Sequence, residues 1–484
     1  MHLQTIADSR LRFAAPAAPP ARKMADGLGP VMRLSIILVG TAIGYTLIPA
    51  DAQPAGAMRY PALALAFALL LVPGIEALKF GIKAALKIRN ILLVGIVYWL
   101  LGDLIQALYS IEATPQGIGI AYLATALFAI AVSLGGSLRL IGLPPGIRRL
   151  ARVEVTDRMI LASAVFCFIA GIFYYVYMAN FDLSLIYTAL FDRARFDAPW
   201  TRGVLGNADS FVEQLSYFGY LLPLFTAIMY MRSRSFLSAK TIFCAALSAG
   251  FLLFLAQGGG RTSIGAIFGS AILVCTLLTR RKVMGFHIVT ILAVTFAVQV
   301  TMNYIVENRG SGLGAAKVED WTFSEIRVDD NFNRLSQTAD FVPTFVPYSD
   351  LQFFYYTLVR PIPRVLWPGK PVDGGFDLAS VLGEEDTSFT ISVIGEAYAG
   401  FGFPLVFVTG LLFGALARWW EQTLDDRPTS IAVMLYSIGA MALFGAERGF
   451  VNIVLLSYPI LSLWAAFALI RLGQSRVVLG RSSA

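Results

Sequence analysis

The stretch Ile118-Gly-Ile-Ala-Tyr-Leu-Ala-Thr-Ala-Leu-Phe-Ala-Ile-Ala-Val-Ser-Leu-Gly-Gly136 contains no charged residue and is long enough to cross the hydrocarbon core of a bilayer as a helix. Similar apolar runs recur along the chain of 484 residues, in which 57% of residues are hydrophobic and 14% are charged. A soluble domain usually carries about 25% charged residues, and a transmembrane barrel would show short alternating segments. The sequence therefore predicts an all-α polytopic membrane protein.

The apolar runs predict about twelve transmembrane helices. Their approximate positions are 31–50, 61–78, 90–110, 118–136, 159–178, 213–231, 239–256, 262–279, 284–305, 403–420, 429–446 and 450–470. Lysine and arginine concentrate in the short loops that follow every second span, as is typical of cytoplasmic loops. This asymmetry predicts that the amino and carboxyl termini are both cytoplasmic.

The spans divide the chain into four parts. Residues 1–30 are rich in alanine and proline and are predicted to be a disordered cytoplasmic tail. Residues 31–305 hold the first nine spans and an outer loop at 179–212. Residues 306–402 form a larger outer loop that ends in an interfacial or re-entrant segment, and 403–484 hold the last three spans and the carboxyl terminus. Loops of this size in a compact membrane protein are usually functional.

The larger loop contains Arg360-Pro-Ile-Pro-Arg-Val-Leu-Trp-Pro-Gly-Lys-Pro371, which we name the cassette. Proline fixes φ and lacks an N–H donor, so the cassette is stiff and cannot be a regular helix. A stiff backbone that holds guanidinium groups at a membrane surface suits the binding of a phosphate or pyrophosphate. Arg360, Arg364 and Lys370 are therefore candidate ligand-binding cations, and the alternative for each is an interfacial anchor or an ion pair.

Three further outward arginines are candidates for the same role. Arg261 follows Gln257-Gly-Gly-Gly260 and begins a span, and a helix amino terminus with this composition favours anions. Arg448 closes the hairpin Gly445-Ala-Glu-Arg-Gly449, where the adjacent glutamate could neutralise it. Arg195 lies in the first outer loop, where two nearby aspartates could pair with it.

Glu396 is the most notable acid, because it lies in the apolar, glycine-punctuated stretch that directly precedes the span at 403–420. This stretch predicts a short helix that dips into the outer leaflet and ends at Gly400–Gly402. Ionisable groups inside a membrane are functional candidates by default, and the alternative is a structural ion pair with an outward arginine. Asp103 is a weaker candidate, with a hydrogen bond in helix packing as its expected role.

Aromatic side chains of the larger loop, among them Tyr355, Tyr356, Trp367 and Trp321, could stack on sugar rings or anchor the chain at the membrane interface. His287 lies close to the cytoplasmic end of a span and is expected to be structural. No His, Cys or carboxylate cluster has metal-ligand spacing, and no glycine-rich nucleotide loop follows a strand. The sequence thus predicts no metal and no cofactor.

At this level of detail the chain resembles the Wzy-type polymerases, which join oligosaccharide repeat units of O-antigen and exopolysaccharide. The resemblance covers most of the chain from Met32 and rests on Gly258-Gly-Gly-Arg-Thr-Ser263, the cassette, and Thr387-Ser-Phe-Thr-Ile-Ser-Val-Ile-Gly-Glu-Ala-Tyr-Ala-Gly-Phe-Gly402, in this order. Some members place an arginine and, after ten intervening residues, a glycine in two outer loops. Arg195 to Gly206 and Arg364 to Gly375 fit this spacing, which adds only modest weight in a chain with 43 glycines.

The resemblance implies a GT-C-like helical bundle in the bacterial inner membrane, with periplasmic loops and a periplasmic active site. It implies transfer of a growing glycan from undecaprenyl pyrophosphate to another lipid-linked repeat unit, with release of undecaprenyl pyrophosphate. The implied partners are the undecaprenyl-pyrophosphate-linked oligosaccharide and the lipid bilayer, with a chain-length regulator and a flippase as candidates. No nucleic-acid partner is expected.

Fixed guanidinium groups in a water-poor site stabilise a pyrophosphate leaving group without a metal. Arg261, Arg360 and Arg364 are the first candidates for this role, followed by Arg448, Arg195 and Lys370. Glu396 is the candidate general base for the acceptor hydroxyl, although a carboxylate that only orients an arginine fits its position equally well.

Two other functions compete with this prediction. An O-antigen ligase uses the same donor, but ligases usually carry a histidine motif in the large outer loop. Histidine is absent from that loop here, which favours a polymerase. A transporter or flippase for lipid-linked oligosaccharides would need charged groups along a path through the membrane, whereas the outward cations of this chain cluster at one face.

Overall fold

A computed structural model describes residues 27–138, 141–191, 198–200, 212–257, 260–279, 296–297, 300–301, 325–362, 364, 366–371, 373–384, 389–424 and 429–481. Over these residues the secondary structure is helical, and no strand occurs within them. Most of the predicted tail at 1–30 and of the predicted span at 284–305 lies outside the described residues.

The principal helices are α1 (Pro30–Thr46), α2 (Arg59–Phe80), α3 (Ile88–Gln106), α4 (Pro115–Gly135), α5 (Asp157–Met178), α6 (Leu183–Phe191), α7 (Leu222–Ser233), α8 (Ala239–Gln257), α9 (Arg261–Leu278), α10 (Asn331–Phe341), α11 (Gln352–Val359), α12 (Ser392–Glu421), α13 (Ser430–Ala446) and α14 (Tyr458–Arg481). Short helical segments lie at Ile82–Ala85, Pro145–Ala151, Ser216–Gly219, Leu378–Val381, Gln422–Leu424 and Asn452–Leu455.

Seven helices of the described chain are long and apolar enough to cross a membrane. They are Arg59–Phe80, Ile88–Gln106, Pro115–Gly135, Asp157–Met178, Ala239–Gln257, Ser392–Leu424 and Asn452–Leu469. The prediction of a helical membrane protein is thereby confirmed. Pro30–Thr46, Thr262–Leu278 and Ser430–Ala446 are shorter apolar helices at predicted spans.

One predicted span differs in its local structure. The run at 213–231 was expected to form a single helix, but it divides into Ser216–Gly219 and α7. Pro223 occupies the first turn of α7, where its missing N–H cannot continue a helix from the preceding residues. The expectation of one unbroken helix here is wrong.

Helices α4 and α12 form a close central pair because small residues line their contact. A Cβ atom added to Gly410 would lie 2.6 Å from the Cβ atom of Ala131, and one added to Gly414 would overlap the carbonyl oxygen of Val132. Small residues let membrane helices approach closely enough for extensive van der Waals contact. This pair carries the outer end of α12, where Glu396 lies.

Helix α12 bends within its first half, as the glycine punctuation predicts. Phe401 and Gly402 have non-helical dihedral angles, and Gly402 has φ 62° and ψ −152°. The short helix therefore ends at Gly400, within the expected range Gly400–Gly402, and the next helical segment starts directly after Gly402. We name Ser392–Gly400 the amino-terminal arm of α12.

A buried ionic network holds α1, α2 and α3 together at the end of the bundle opposite to Glu396. Arg33 of α1 pairs with Glu76 of α2, and the side-chain amide of Asn90 donates to the same carboxylate at 2.9 Å. The backbone N–H of Leu28 donates a further bond to Glu76 at 2.9 Å. Because buried charges need such partners, this network fixes the first three helices relative to one another.

Candidate functional site

Glu396 lies where the arm of α12 meets the hairpin that follows α13. Its carboxylate accepts a hydrogen bond of 2.7 Å from the backbone N–H of Phe450. The carbonyl oxygen of Glu447 in turn accepts a bond of 3.0 Å from the N–H of Val393 in the arm. We name residues 445–451 the outer hairpin. These two bonds fix the outer hairpin and the arm to each other.

Glu396 is partly exposed, and no arginine whose side chain is described forms an ion pair with it. The structural ion pair considered as an alternative is therefore not formed with Arg360, Arg364 or Arg448. A carboxylate whose orientation is fixed by a backbone donor is a candidate general base once a substrate hydroxyl lies within hydrogen-bond distance of it.

Arg448 pairs with an acid that the sequence did not single out. Its Nε atom donates to the carboxylate of Asp329 at 2.5 Å. The alternative of neutralisation by the adjacent Glu447 is not observed, because neither carboxylate oxygen of Glu447 has a hydrogen-bond partner among the described residues. The side chains of Arg448 and Asp329 both remain partly exposed, so a bound anion could compete for this guanidinium group.

Asp103 has the structural role expected of it. Its two carboxylate oxygens accept the backbone N–H groups of Val328 and Asp329, each at 3.1 Å. These bonds attach the loop that carries Asp329 to the outer end of α3. Asp103 thereby positions the acid that pairs with Arg448.

Trp99 of α3 bonds both to α13 and to the first residue of α10. Its indole N–H donates to the carbonyl oxygen of Phe444 at 2.9 Å, and its own carbonyl accepts from the amide of Asn331 at 3.2 Å. Trp99 lies in a π-helical turn, Val97–Leu101, and such turns occur frequently at functional sites. Neither Trp99 nor Asn331 was predicted, because neither carries a motif in sequence.

Glu447, which the sequence suggested only as a possible partner of Arg448, has an unexpected environment. Its side chain is 1% exposed, and both carboxylate oxygens lack a partner in the part of the chain that is described. The carboxylate lies against Gly95 of α3, where an added Cβ atom would overlap it. A buried polar group without a partner is costly, and the only sequence signal was a glutamate between two glycines of a tight hairpin.

The cassette is braced by its own lysine. The ammonium group of Lys370 donates to the carbonyl oxygens of Arg360 at 3.1 Å and Ile362 at 2.7 Å. Burial lowers the pKa of Lys370, and the charges of Arg360 and Arg364 lower it further. Arg364 donates a long bond of 3.4 Å to the carbonyl oxygen of Pro371. Lys370 therefore holds the backbone of the cassette in place. Arg360 and Arg364 are then the main side chains of the cassette that can donate hydrogen bonds to an anion.

The aromatic residues of the cassette region have different surroundings. Tyr356 accepts a bond of 2.5 Å from Arg360 and places its ring 5.5 Å from that guanidinium group. The rings of Tyr355 and Trp367 meet edge to face at 6.4 Å. Tyr356 thus orients Arg360, whereas Tyr355 keeps an exposed surface.

The cassette and Glu396 are joined through Phe450. The rings of Phe353 and Phe354 in α11 pack on the ring of Phe450 at 5.7 Å and 4.9 Å between centroids. Phe450, whose N–H bonds to Glu396, therefore also supports α11, the helix that leads into Arg360. The structure connects Glu396, Arg448 and the cassette in one contact network.

The other predicted site residues are only partly described. Arg261 is the first residue of α9, but its side chain lies outside the described residues, as do Arg195, Trp321 and His287. The following residue, Thr262, adjoins the outer hairpin, since its Cγ2 atom lies 3.7 Å from a Cβ atom built on Gly445. The first turn of α9 is therefore a neighbour of the hairpin that carries Arg448.

Among the described residues, no group of three or more His, Cys, Asp and Glu side chains could hold a metal ion. The network instead offers a carboxylate that is bonded to one backbone N–H, two guanidinium groups on a braced loop and a third guanidinium group, paired with Asp329, on the outer hairpin. Such a set can accept a proton and bind an anion. Comparison with protein-family models, curated proteins and solved structures found no match for this chain.

Proposed function

We propose that this protein is a polysaccharide polymerase of the bacterial inner membrane. It transfers a growing glycan from undecaprenyl pyrophosphate to a lipid-linked repeat unit at the periplasmic face, in the synthesis of O-antigen, capsule or exopolysaccharide. The observation that carries this proposal is the position of Phe450. Its N–H bonds to Glu396, it follows Arg448 by two residues, and its ring packs on α11, the helix that leads into the arginine cassette. The proposal includes the topology of twelve spans in a GT-C-like bundle, with both termini cytoplasmic.

In this proposal the arginines bind the donor pyrophosphate. Arg360 and Arg364 meet it from the braced cassette, and Arg448 and Arg261 meet it from the two adjoining hairpins. Arg195 completes the set from the first outer loop, and Lys370 contributes mainly by fixing the backbone of the cassette. Positive charge held in place before the reaction stabilises the charge that develops on the leaving group.

The reaction follows from this placement. The acceptor hydroxyl oxygen attacks the anomeric carbon of the donor and forms the new glycosidic bond, while Glu396 takes the hydroxyl proton. The bond between the anomeric carbon and the phosphate oxygen breaks, and undecaprenyl pyrophosphate leaves with that electron pair. Tyr355 and Trp367 offer aromatic surfaces to the sugars, and Tyr356 supports the orientation of Arg360.

The test is glycan length in cells that lack this protein and are rescued with wild type, Arg364→Ala or Glu396→Gln. Arg327→Ala is the matched control, because Arg327 is an exposed arginine of the same loop that pairs only with Glu325 among the described acids. We expect long chains with wild type and the control, and single repeat units at the surface with the two site variants. Expression of each variant is confirmed in the membrane fraction.

Other outcomes would identify another function. Long chains that accumulate on the lipid carrier in the absence of the protein would indicate a ligase. Repeat units trapped on the cytoplasmic side would indicate a flippase, and either result would refute the polymerase. Normal chain length with Glu396→Gln would remove Glu396 as the base but leave the arginines as donor-binding residues.

A further inference from the structure

A stripe of exposed apolar side chains runs along α11 and into the cassette. Leu351, Tyr355, Leu358 and Ile362 follow one another at spacings of four, three and four residues, which places them on one side of a helix. All four side chains are exposed, and Leu358 is exposed to 75%. Leu366, further along the cassette, is exposed to 72%.

The opposite side of α11 is also apolar, and it is already occupied. Phe353 is buried, and both Phe353 and Phe354 pack against Phe450. Helix α11 is not among the seven helices that could cross a membrane. A helix that is apolar on both sides needs a second apolar environment for its outer stripe.

Exposed aliphatic residues alternate with the arginines of the cassette. The order is Leu358, Arg360, Ile362, Arg364, Leu366, with Arg360 and Arg364 partly buried between their more exposed neighbours. Guanidinium groups recognise a pyrophosphate, and the exposed aliphatic side chains offer contact to a hydrocarbon chain directly beside it. An isoprenoid pyrophosphate carries both of these groups at adjoining positions.

We propose that Leu351, Leu358, Ile362 and Leu366, which we name the aliphatic ridge, seat the isoprenoid chain of the donor beside its pyrophosphate. This inference rests on the proposed polymerase function and adds to it the surface that recognises the lipid. The ridge binds the substrate chain itself and is more than a contact with bulk bilayer lipid.

The ridge begins where the donor chain could leave the bilayer. The backbone N–H of Ser349 donates to the carbonyl of Ala399 at 2.9 Å, and the ring of Tyr348 lies 5.7 Å from that of Phe401 at the bend of α12. From this bend, exposed Phe401, Val408 and Leu412 continue along α12. The apolar surface of a membrane helix thus leads to the first residue of the ridge.

The experiment compares two donors that carry the same glycan, one on undecaprenyl pyrophosphate and one on a methyl pyrophosphate that has no isoprenoid chain. The purified full-length protein in lipid nanodiscs is assayed as wild type and as Leu358→Ser/Leu366→Ser. We expect KM for the undecaprenyl donor to rise about tenfold, because two aliphatic contacts with the chain are lost. KM for the methyl donor should stay within about twofold, since it has no chain to contact the ridge, and kcat should hardly change.

The matched control is Leu237→Ser, since Leu237 is an equally exposed leucine of the α7–α8 loop at the opposite end of the bundle. It should leave both KM values unchanged. Equal changes for both donors, or no change for either, would show that the ridge only contacts bulk lipid. If the double serine variant does not fold, Leu358→Ala/Leu366→Ala makes the same comparison. A wild-type protein that elongates neither donor would refute the polymerase proposal itself. Failure of the polymerase proposal and failure of the ridge proposal therefore give different results.

Discussion

The most unusual single residue is Glu447, whose carboxyl group is enclosed beside Gly95 and has no hydrogen-bond partner among the residues that the structure describes. Removing a polar group from water without a compensating bond costs about 1–3 kcal/mol in proteins. Natural proteins retain such costs mainly where function requires them. Glu447 precedes Arg448 and lies three residues before Phe450, so it occupies the centre of the contact network described above.

We therefore predict that Glu447→Met stabilises the protein. The methionine should raise the free energy of unfolding by about 1–3 kcal/mol, because it fills a similar volume without an unsatisfied carboxyl group. The measurement is the unfolding temperature of the detergent-solubilised protein, together with glycan length in cells. Glu447→Gln, which retains an unsatisfied polar group, is the control and should gain less. A lower unfolding temperature for the methionine variant would mean that the carboxyl group has a stabilising partner.

Predictions for single residues succeeded where the signal lies in the neighbouring sequence. The glycine-rich setting of Glu396 indicated a carboxylate within a short helix that ends at Gly400–Gly402, and the structure has Glu396 in the middle of such a helix, bonded to the N–H of Phe450. The partner of Arg448 could not be predicted, because Asp329 lies far away in the chain and an aspartate in a polar loop gives no signal of its own. Burial of Glu447 likewise depends on a glycine in another helix.

At the scale of elements, the bend in α12 sets the direction of the arm that carries Glu396. Gly402 combines φ 62° with ψ −152°, a backbone conformation that side chains with a Cβ atom almost never adopt. An added Cβ atom would also lie 2.9 Å from the hydroxyl oxygen of Tyr348. The bend is therefore specified by glycine at this one position.

Gly402→Ala should lower the free energy of unfolding by about 1–3 kcal/mol and shorten the glycan product. The stability loss follows from backbone strain, and the activity loss follows from a displaced arm. Gly119→Ala is the matched control, because an added Cβ atom there meets no atom within 4 Å. Thermal unfolding and glycan length are measured for both variants. A Gly402→Ala protein that matches the control in both measurements would show that the bend does not depend on glycine.

Apolar helices could be located from sequence, whereas polar ones could not. The runs at 61–78, 118–136, 159–178 and 239–256 correspond closely to observed helices, since hydrophobic length alone determines them. Helix α10 was not predicted, because Asn331, Ser336, Gln337 and Thr338 read as a polar loop. The structure buries these residues beside α4 and α12. Ser336 and Thr338 donate to carbonyl oxygens of their own helix, whereas the amides of Asn331 and Gln337 donate to Trp99 and Glu112 in other segments.

For the whole molecule, the structure shows which segments share an end of the bundle. Arg232 at the end of α7 bonds to Asp157 at the start of α5 and to Ser430 at the start of α13. Helix α11, which leads into the cassette, packs on Phe450 of the outer hairpin at the other end of α13. The sidedness of these two ends relative to the membrane follows only from the distribution of lysine and arginine in the sequence.

We predict that the α7–α8 loop is cytoplasmic and that the cassette region is periplasmic. In a protein whose three cysteines are replaced by serine, a single cysteine is placed by Ser238→Cys or by Asp373→Cys. A membrane-impermeant maleimide should label the second variant in intact spheroplasts and the first only after permeabilisation. The reverse pattern would invert the topology and contradict a periplasmic active site.

The contacts of Glu396 also have a consequence for the order in which the chain is made. Phe450 is synthesised 54 residues after Glu396, so the backbone donor of this carboxylate becomes available only with the outer hairpin. Asp329 likewise precedes its partner Arg448 in the chain, and their ion pair forms only once the outer hairpin has been made. Because the segments of a growing chain become available from the amino terminus onward, one of the last segments to emerge completes this contact network. In the polymerase that we propose, a nascent chain that already contains the cassette would therefore still lack the contacts that hold Glu396 and Arg448 in place.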